Sequence, residues 1–477
     1  MTGPAGDHLS IDDVAMLRGE SPQHIREWWE RGLLAGADGE MGPEHVERAR
    51  LIRLLIESGV DLDSIRRAQD EHGDLLGRFV AELNPGGPRD RYSLEEAATR
   101  FGFDLEVARR LWSSSTLIED EQVITEEDAM MARSVQEALD AGLPEEALLQ
   151  LVHVYDEALG RVADAETRMF HIYIHERLRA AGLSGAALTE ATAEVSEGLQ
   201  TLAEPAVLYF HRKGIERALR EDLLLHFAEA AGLVGTSEVP GLVSVAIVFV
   251  DLSSFTPLTQ AMGEVHAADV LARFSALVRA AVRPRRGRIV KQIGDAFMLV
   301  FIDPENALRC ALDIERRAAH EPQFPACRLG VSCGRALYRE GDYVGTTVNV
   351  AARLVAAAER HQILVISDVR DAVGPAADID FRPLGRRQLK GLDELELFSA
   401  CYAGAHDEER LVDPVCGMVL HPGHRVVRLV HAGHEVVFCS DACGKRFADD
   451  PDRYTPRAGR VGAAHETAER RPPQGNR

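Results

Sequence analysis

The most concentrated apolar stretch of the chain is short. VSVAIVFV (243–250) is a β-branched run without helical spacing, preceded by the breakers GTSEVPG and closed by Asp251, the pattern of a buried strand. RIVKQIGDAFMLVF (288–301) holds two more such runs around Gly294 and Asp295, which predicts two strands joined by a tight turn. Asn349 and Arg353 stand four apart in the helical pattern of GDYVGTTVNVAARL (341–354) and so share one face. Residues 145–235 read as nearly all helical, with breaks expected at Gly160, Gly182, Gly185, Pro205 and Gly214. No apolar run reaches the roughly 18 residues a membrane span requires, because even GLVSVAIVFV ends at Asp251.

The amino-terminal pattern occurs twice. Residues 9–65, opening LSIDDVAMLRGESPQHIREWWERGLL, and 92–148, opening YSLEEAATRFGFDLEVARRLWSSSTL, superpose without a gap at an offset of 83. Ser10/Ser93, Ala15/Ala98, Gly19/Gly102, Arg26/Arg109, Trp29/Trp112, Leu34/Leu117, Arg50/Arg133 and Gly59/Gly142 are identical. Each copy predicts a short helix, a glycine turn, a second helix, a hairpin-like loop and a longer helix, which is the mark of a duplicated unit.

Length and charge then bound the function. A chain of 477 residues is expected to hold several domains. Its formal charge of −22 argues against a general nucleic-acid or anionic-membrane binder. MTGPAGDHLS lacks the apolar core of a secretory signal, and seven cysteines without a paired framework suit a reducing compartment. The expected location is the cytoplasm.

Candidate chemistry centres on two aspartates. A carboxylate at the end of one apolar strand (Asp251) and another in a tight turn (Asp295) are costly without a cation, so the pair points to a divalent metal. VDLSSFT, KQIGD and VNVAARL, in that order within residues 243–402, resemble the catalytic domain of class III nucleotide cyclases. The resemblance implies an α+β, ferredoxin-like domain with a mixed sheet. It also implies two Mg²⁺ or Mn²⁺ ions on Asp251 and Asp295, with Asn349 orienting the ribose and Arg353 facing the charge that develops at the α-phosphate. Ser253, Ser254, Phe255 and Thr256, with Thr256 as helix cap and Pro257 in the first turn, would take the outer phosphates together with Lys390. Lys291 and Asp342 would read the base. Adenine offers an acceptor at N1 and a donor at its 6-amino group, which a lysine and an aspartate satisfy, so ATP is the expected substrate and cyclic AMP and pyrophosphate the products. In this family the site lies between two subunits, which makes a homodimer the expected assembly.

The flanking regions carry further expectations. The duplicated unit resembles the winged helix-turn-helix of MerR-type regulators. Glu119, Asp120, Glu121, Glu126, Glu127 and Asp128 around the second loop would repel phosphate, so DNA is not the expected partner. The helical region resembles that of soluble bacterial cyclases whose amino-terminal half restrains catalysis and in some members responds to pH; His171, His175, His211 and His226 are candidates for such a switch. DPVCGM and HEVVFCSDACGKRFADDPDRY resemble the YHS domain. Its Cys416, Cys439 and Cys443 have zinc-ligand spacing, with a fourth ligand sought among His421, His424, His431 and His434; the alternative is a metal-free module with small core thiols. The expected division is repeats at 1–83 and 84–150, a helical regulatory region at 151–238, a cyclase domain at 239–404, a YHS-type module at 411–456 and a disordered tail at 457–477. The alternative function is a MerR-like transcription regulator that uses the cyclase domain as a nucleotide sensor.

Overall fold

The computed structural model describes residues 9–34, 41–83, 91–118, 123–231, 239–253, 255–321, 324–404, 411–416, 418–420 and 426–454. Ser254, Glu119, Asp120, Glu121, His421, His424 and the tail from 457 lie outside them. The chain divides into two compact units, Met1–Thr236 and Ser237–Arg477.

The second unit is built on an eight-stranded sheet. Its order is Arg288–Ile293, Ala296–Phe301, Leu242–Leu252, Cys327–Arg339, Gln362–Ile366, Glu394–Tyr402 and Ile379–Gln388, with Asp342–Val344 folded back on Cys327–Arg339. Only Cys327–Arg339 and Gln362–Ile366 run parallel, so the sheet is mixed, as expected. The apolar runs form strands because alternate residues find apolar cover on both faces. Ala246, Val248, Val250 and Leu252, with Phe297, Leu299 and Phe301, pack under the helices Glu264–Val282 and Pro304–His320. Phe274 is fully buried against Phe297 and Phe324, with ring centroids 5.2 and 6.2 Å apart. Truncating it to alanine should cost about 3–5 kcal/mol.

The opposite face carries a smaller cluster under a single helix. Val245, Ile247, Met298, Val300 and Ala336 meet Ala351 of the helix Thr346–Ala357 in a small separate cluster. That helix lies hard against Cys327–Arg339 at Gly330. A Cβ there would stand 2.5 Å from the Val355 nitrogen and 2.6 Å from the Ala351 carbonyl oxygen, so only glycine permits the approach.

The carboxy-terminal hairpins, Leu411–Val412 with Val419–Leu420 and Val427–His431 with His434–Phe438, precede the helices Asp441–Asp449 and Pro451–Tyr454. They are not a free appendage. Val415, Cys416, Met418, Phe438, Cys443 and Phe447 belong to the same apolar core as Phe324 and Phe274. Met418 forms a backbone bridge to Pro325, and Arg446 donates to the Gln260 carbonyl at 2.7 Å.

In the first unit the duplication is visible in the backbone. Arg91–Ser93 pairs antiparallel with Val123–Thr125, placing Tyr92 opposite Ile124; Leu9 bridges Met41 at the equivalent positions of the first copy. Ser10 and Ser93 cap the first helices, Ile11–Arg18 and Leu94–Phe101, and Gly19 and Gly102 close them in the left-handed conformation. Two of the acidic residues near the second loop also have a structural use: Asp128 completes a capping box with Thr125, and Glu126 lies in the same first helical turn.

The helical region departs from expectation. Glu145–Phe170 runs through Gly160, and Gly185–Ala230 runs through Pro205 and Gly214. One glycine costs a helix about 1 kcal/mol, which a long run of good formers outweighs. Gly182 and Gly185 do lie at a break, both at positive φ. The other irregularity is a single π-helical turn, His171–His175, between Glu145–Phe170 and Glu176–Ala180.

Candidate active site and thiolate cluster

Asp251 stands near the end of its strand, in register with Ala296 on one side and Arg328 on the other. The Arg328 guanidinium donates to its carboxylate. Asp295 occupies the turn between the hairpin strands, where Gly294 takes a φ of 61°, and its carbonyl accepts from the Leu252 amide at 3.3 Å. Burial, and then the neighbouring Asp251, raise the Asp295 carboxyl above its ordinary value. Two neighbouring carboxyl groups offering only oxygen donors fit a hard divalent cation.

Across the hairpin, Lys291 donates to Asp342, whose other oxygen accepts from the Tyr343 amide at 2.8 Å. Lys291 lies opposite Met298, and Met298 opposite Phe249, two residues before Asp251. Directly opposed residues of antiparallel strands share a face, so Lys291, Asp251 and Arg328 all lie on the side of the smaller cluster. Asn349 and Arg353 stand exposed one turn apart on Thr346–Ala357, above buried Val350 and Leu354. Among the described residues no hydrogen bond or ion pair occupies either side chain. The chain thus pairs Asp251 with Arg328 and Lys291 with Asp342, with Asp295 in the adjacent turn, while Asn349 and Arg353 share the exposed side of a helix packed on the same sheet.

Two details differ from the sequence reading. The helix after the first strand begins at Phe255, so Thr256 lies within its first turn and is not the cap; Pro257 is in that turn, as expected. The Ser253 amide donates to the Ala326 carbonyl at 2.7 Å, so it is not among the free amides of the helix start. Lys390 lies exposed in the turn before Glu394–Tyr402. Arg328 was not singled out in the sequence. Its signal, an arginine opening a strand, acquires meaning only through the register with Asp251.

A second cluster lies in the carboxy-terminal part. Cys416 Sγ is 3.5 Å from Cys439 Sγ, which is 3.7 Å from Cys443 Sγ; these are thiols, not disulfides. The fourth member is Asp413, which is completely buried, and all four ligand atoms lie within 4.8 Å of one another. Asp413 accepts from the amides of Val415, Cys416 and Cys439. Hydrogen bonds from Cys416 and Cys439 pull the Cys443 thiol down to about 3, while those two thiols are pushed up. Three sulfurs and a buried carboxyl this close together make a set that can hold a soft or borderline metal ion. Among the described residues His431 and His434 are not members, His431 packing edge-on to Phe447, and Asp413 stands with the three cysteines; His421 and His424 lie outside the described residues.

Three regions match known families: residues 29–209 the adenylate cyclase regulatory domain, 238–400 the adenylate and guanylate cyclase catalytic domain, and 411–458 the YHS domain. An uncharacterized protein of Mycobacterium tuberculosis is 32% identical over 352 residues, 73% of this chain and 88% of that one. A pH-sensitive adenylate cyclase of the same species is 28% identical over 359 residues, 74% and 87% respectively. The solved adenylyl cyclase CyaB of P. aeruginosa is 19% identical, with a TM-score of 0.31, covering 33% of this chain and 94% of that one. With its mixed sheet, its carboxylate pair and its matched regulatory segment, the chain belongs to the class III adenylyl cyclases.

Proposed function

We propose that the protein converts ATP to 3′,5′-cyclic AMP and pyrophosphate at sites completed by a second copy of the chain. The observation that supports this is that Lys291 is paired with Asp342 and Asp251 stands beside Asp295, while Asn349 and Arg353 are exposed with no hydrogen bond or ion pair from the described residues. Asp251 and Asp295 would hold two Mg²⁺ or Mn²⁺ ions, which supply charge neutralisation and a lowered pKa for the ribose 3′-hydroxyl. Arg328 now neutralises Asp251 and is positioned to turn to phosphate when that carboxylate is otherwise engaged. From the partner, Asn349 would fix the ribose and Arg353 would meet the charge growing on the α-phosphate, both from a helix locked by Gly330. Lys291 and Asp342 hold each other ready as donor and acceptor, the polarity that adenine's edge requires. The test is product analysis with ATP or GTP and Mn²⁺ or Mg²⁺. Cyclic AMP from ATP supports the reading; no cyclic nucleotide under any condition removes it.

Among the described residues no helix is long and apolar enough to cross a membrane. Cytoplasmic action is part of the proposal, and the seven free thiols support it. The regulatory segment is proposed to act on the catalytic unit, with pH as one input. His171 and His175 stack at 5.0 Å in the π-helical turn, beside Glu176 at 3.6 Å from His171; protonating both rings would set like charges against each other. Replacing both by glutamine should flatten any acid-side change in rate, and an unaltered pH profile would remove these histidines from the switch. Zn²⁺ is proposed for Asp413, Cys416, Cys439 and Cys443, testable by the thiolate charge-transfer absorbance of a Co²⁺-substituted chain. DNA binding by MerR-like repeats has less support: Arg109, on the helix that would face DNA, is held by Glu95 and Glu106.

A further inference from the structure

A cavity of about 650 Å³ opens beside the phosphate segment. The cyclase domain lines it with Ser253, Pro257, Arg328, Glu359 and Arg360; the carboxy-terminal module lines it with Pro414, Val415, Arg453 and Tyr454. Three arginines therefore line one cavity, with Glu359 also in its wall and Asp251 holding the Arg328 guanidinium. Arg360 also ties the module down, donating to the Pro414 carbonyl at 3.2 Å. Arg453 lies over the ring of Tyr454 and projects from the last short helix. A concave site with an excess of planar cations suits a compact polyanion, since guanidinium groups meet phosphate oxygens two bonds at a time.

We propose that this cavity is a pyrophosphate subsite whose outer wall is the carboxy-terminal module, with Arg360 and Arg453 as its new ligands. It rests on the cyclase reading in one respect: Ser253 and Arg328 border both the proposed phosphate path and the cavity, so the leaving group of ATP would be released beside it. The module would then shape the release of product, and its role would be part of turnover rather than a separate activity.

The experiment uses the full chain and inorganic pyrophosphate with Mg²⁺. Binding is measured by calorimetry, and in parallel pyrophosphate inhibition of cyclic AMP formation is followed. Arg453→Glu should weaken pyrophosphate binding and inhibition together by about fivefold or more, the scale of a charge-assisted contact at a partly exposed site. Its kinetic effect should fall on kcat rather than on KM for ATP, because the subsite takes the leaving group after chemistry, and Arg453→Lys should reverse part of it. Glu359→Gln, which removes the cavity's negative wall, should strengthen binding, a sign that misfolding cannot produce. Pyrophosphate binding unmoved by both charge changes would overturn the proposal, whether or not the enzyme is active. Failure of the cyclase reading would appear separately, as calorimetric binding that responds to Arg453 in a chain that makes no cyclic nucleotide.

Discussion

At the scale of residues, the site is defined by what each side chain lacks. Burial, and then Asp251 beside it, raise the Asp295 carboxyl, and a cation there would offset both. Asp295→Ala should lower turnover at least about 100-fold by removing a metal ligand, checked as initial rate of cyclic AMP formation; near-normal rates would end the metal assignment. Lys291 and Asp342 are bound to each other, and exchanging their polarity should move base choice. Lys291→Glu with Asp342→Cys is expected to reduce the ATP-to-GTP preference by about tenfold or more, the scale of a lost or mismatched polar contact to a substrate; an unchanged ratio would show that the pair is only an ion pair. The six polar residues were legible in the sequence because they sit in short motifs with fixed spacing. Arg328 and Asp413 were not, since each gains its role from a residue 77 or 26 positions away, as Arg328 meets Asp251 and Asp413 accepts from Cys439. Register and fold, not local pattern, create those pairs.

At the scale of elements, strands were easier to read than helix ends. Buried β-branched runs have few alternatives, whereas glycine and proline act as breakers only when the surrounding helix is weak, which is why Pro205 and Gly214 proved internal. The closest helix-to-sheet contact makes a sharp prediction. Gly330→Ala must push Thr346–Ala357 away by several tenths of an ångström, costing about 1–3 kcal/mol. Because Asn349 and Arg353 ride on that helix, kcat should fall about tenfold or more while Asp251 and Asp295 still bind Mn²⁺. A second element-level device joins the Glu145–Phe170 helix to the segment before it. Asp156 accepts from Ser115, from both the hydroxyl and the amide of Thr116, and from the Leu117 amide. These bonds, Ser115 first, lower its pKa from 3.8 to about 2. A depressed folded-state value means that the stabilisation is full above the unfolded pKa near 3.8 and disappears as pH falls toward 2. Asp156→Asn should therefore lower the thermal midpoint of the helical signal at pH 6 but make little difference at pH 2, as read by circular dichroism.

At the scale of the whole molecule, composition and spacing divided the chain into regulatory, catalytic and carboxy-terminal parts, and the matched segments follow that order. What the pattern could not reveal was that the last part is packed into its neighbour. Residues 403–410 read as a spacer, yet Met418 and Phe438 share a core with Phe324, because apolar side chains report that they are buried and not what buries them. Removing residues 411–477 should accordingly destabilise the sheet as well as delete the cysteines, and a lowered thermal midpoint of the catalytic unit would distinguish this from loss of a passive appendage.

That shared core has a thermodynamic corollary. If filling the Asp413–Cys416–Cys439–Cys443 centre alters the affinity for nucleotide by some factor, nucleotide must alter the affinity for the metal by the same factor. The cell's thiophilic metal supply and its ATP would then be weighed against each other on one protein. Titrating the metal with and without a non-cyclisable ATP analogue measures that exchange directly, and equal metal affinities in both titrations would mean that the two sites are energetically deaf to each other despite their common packing.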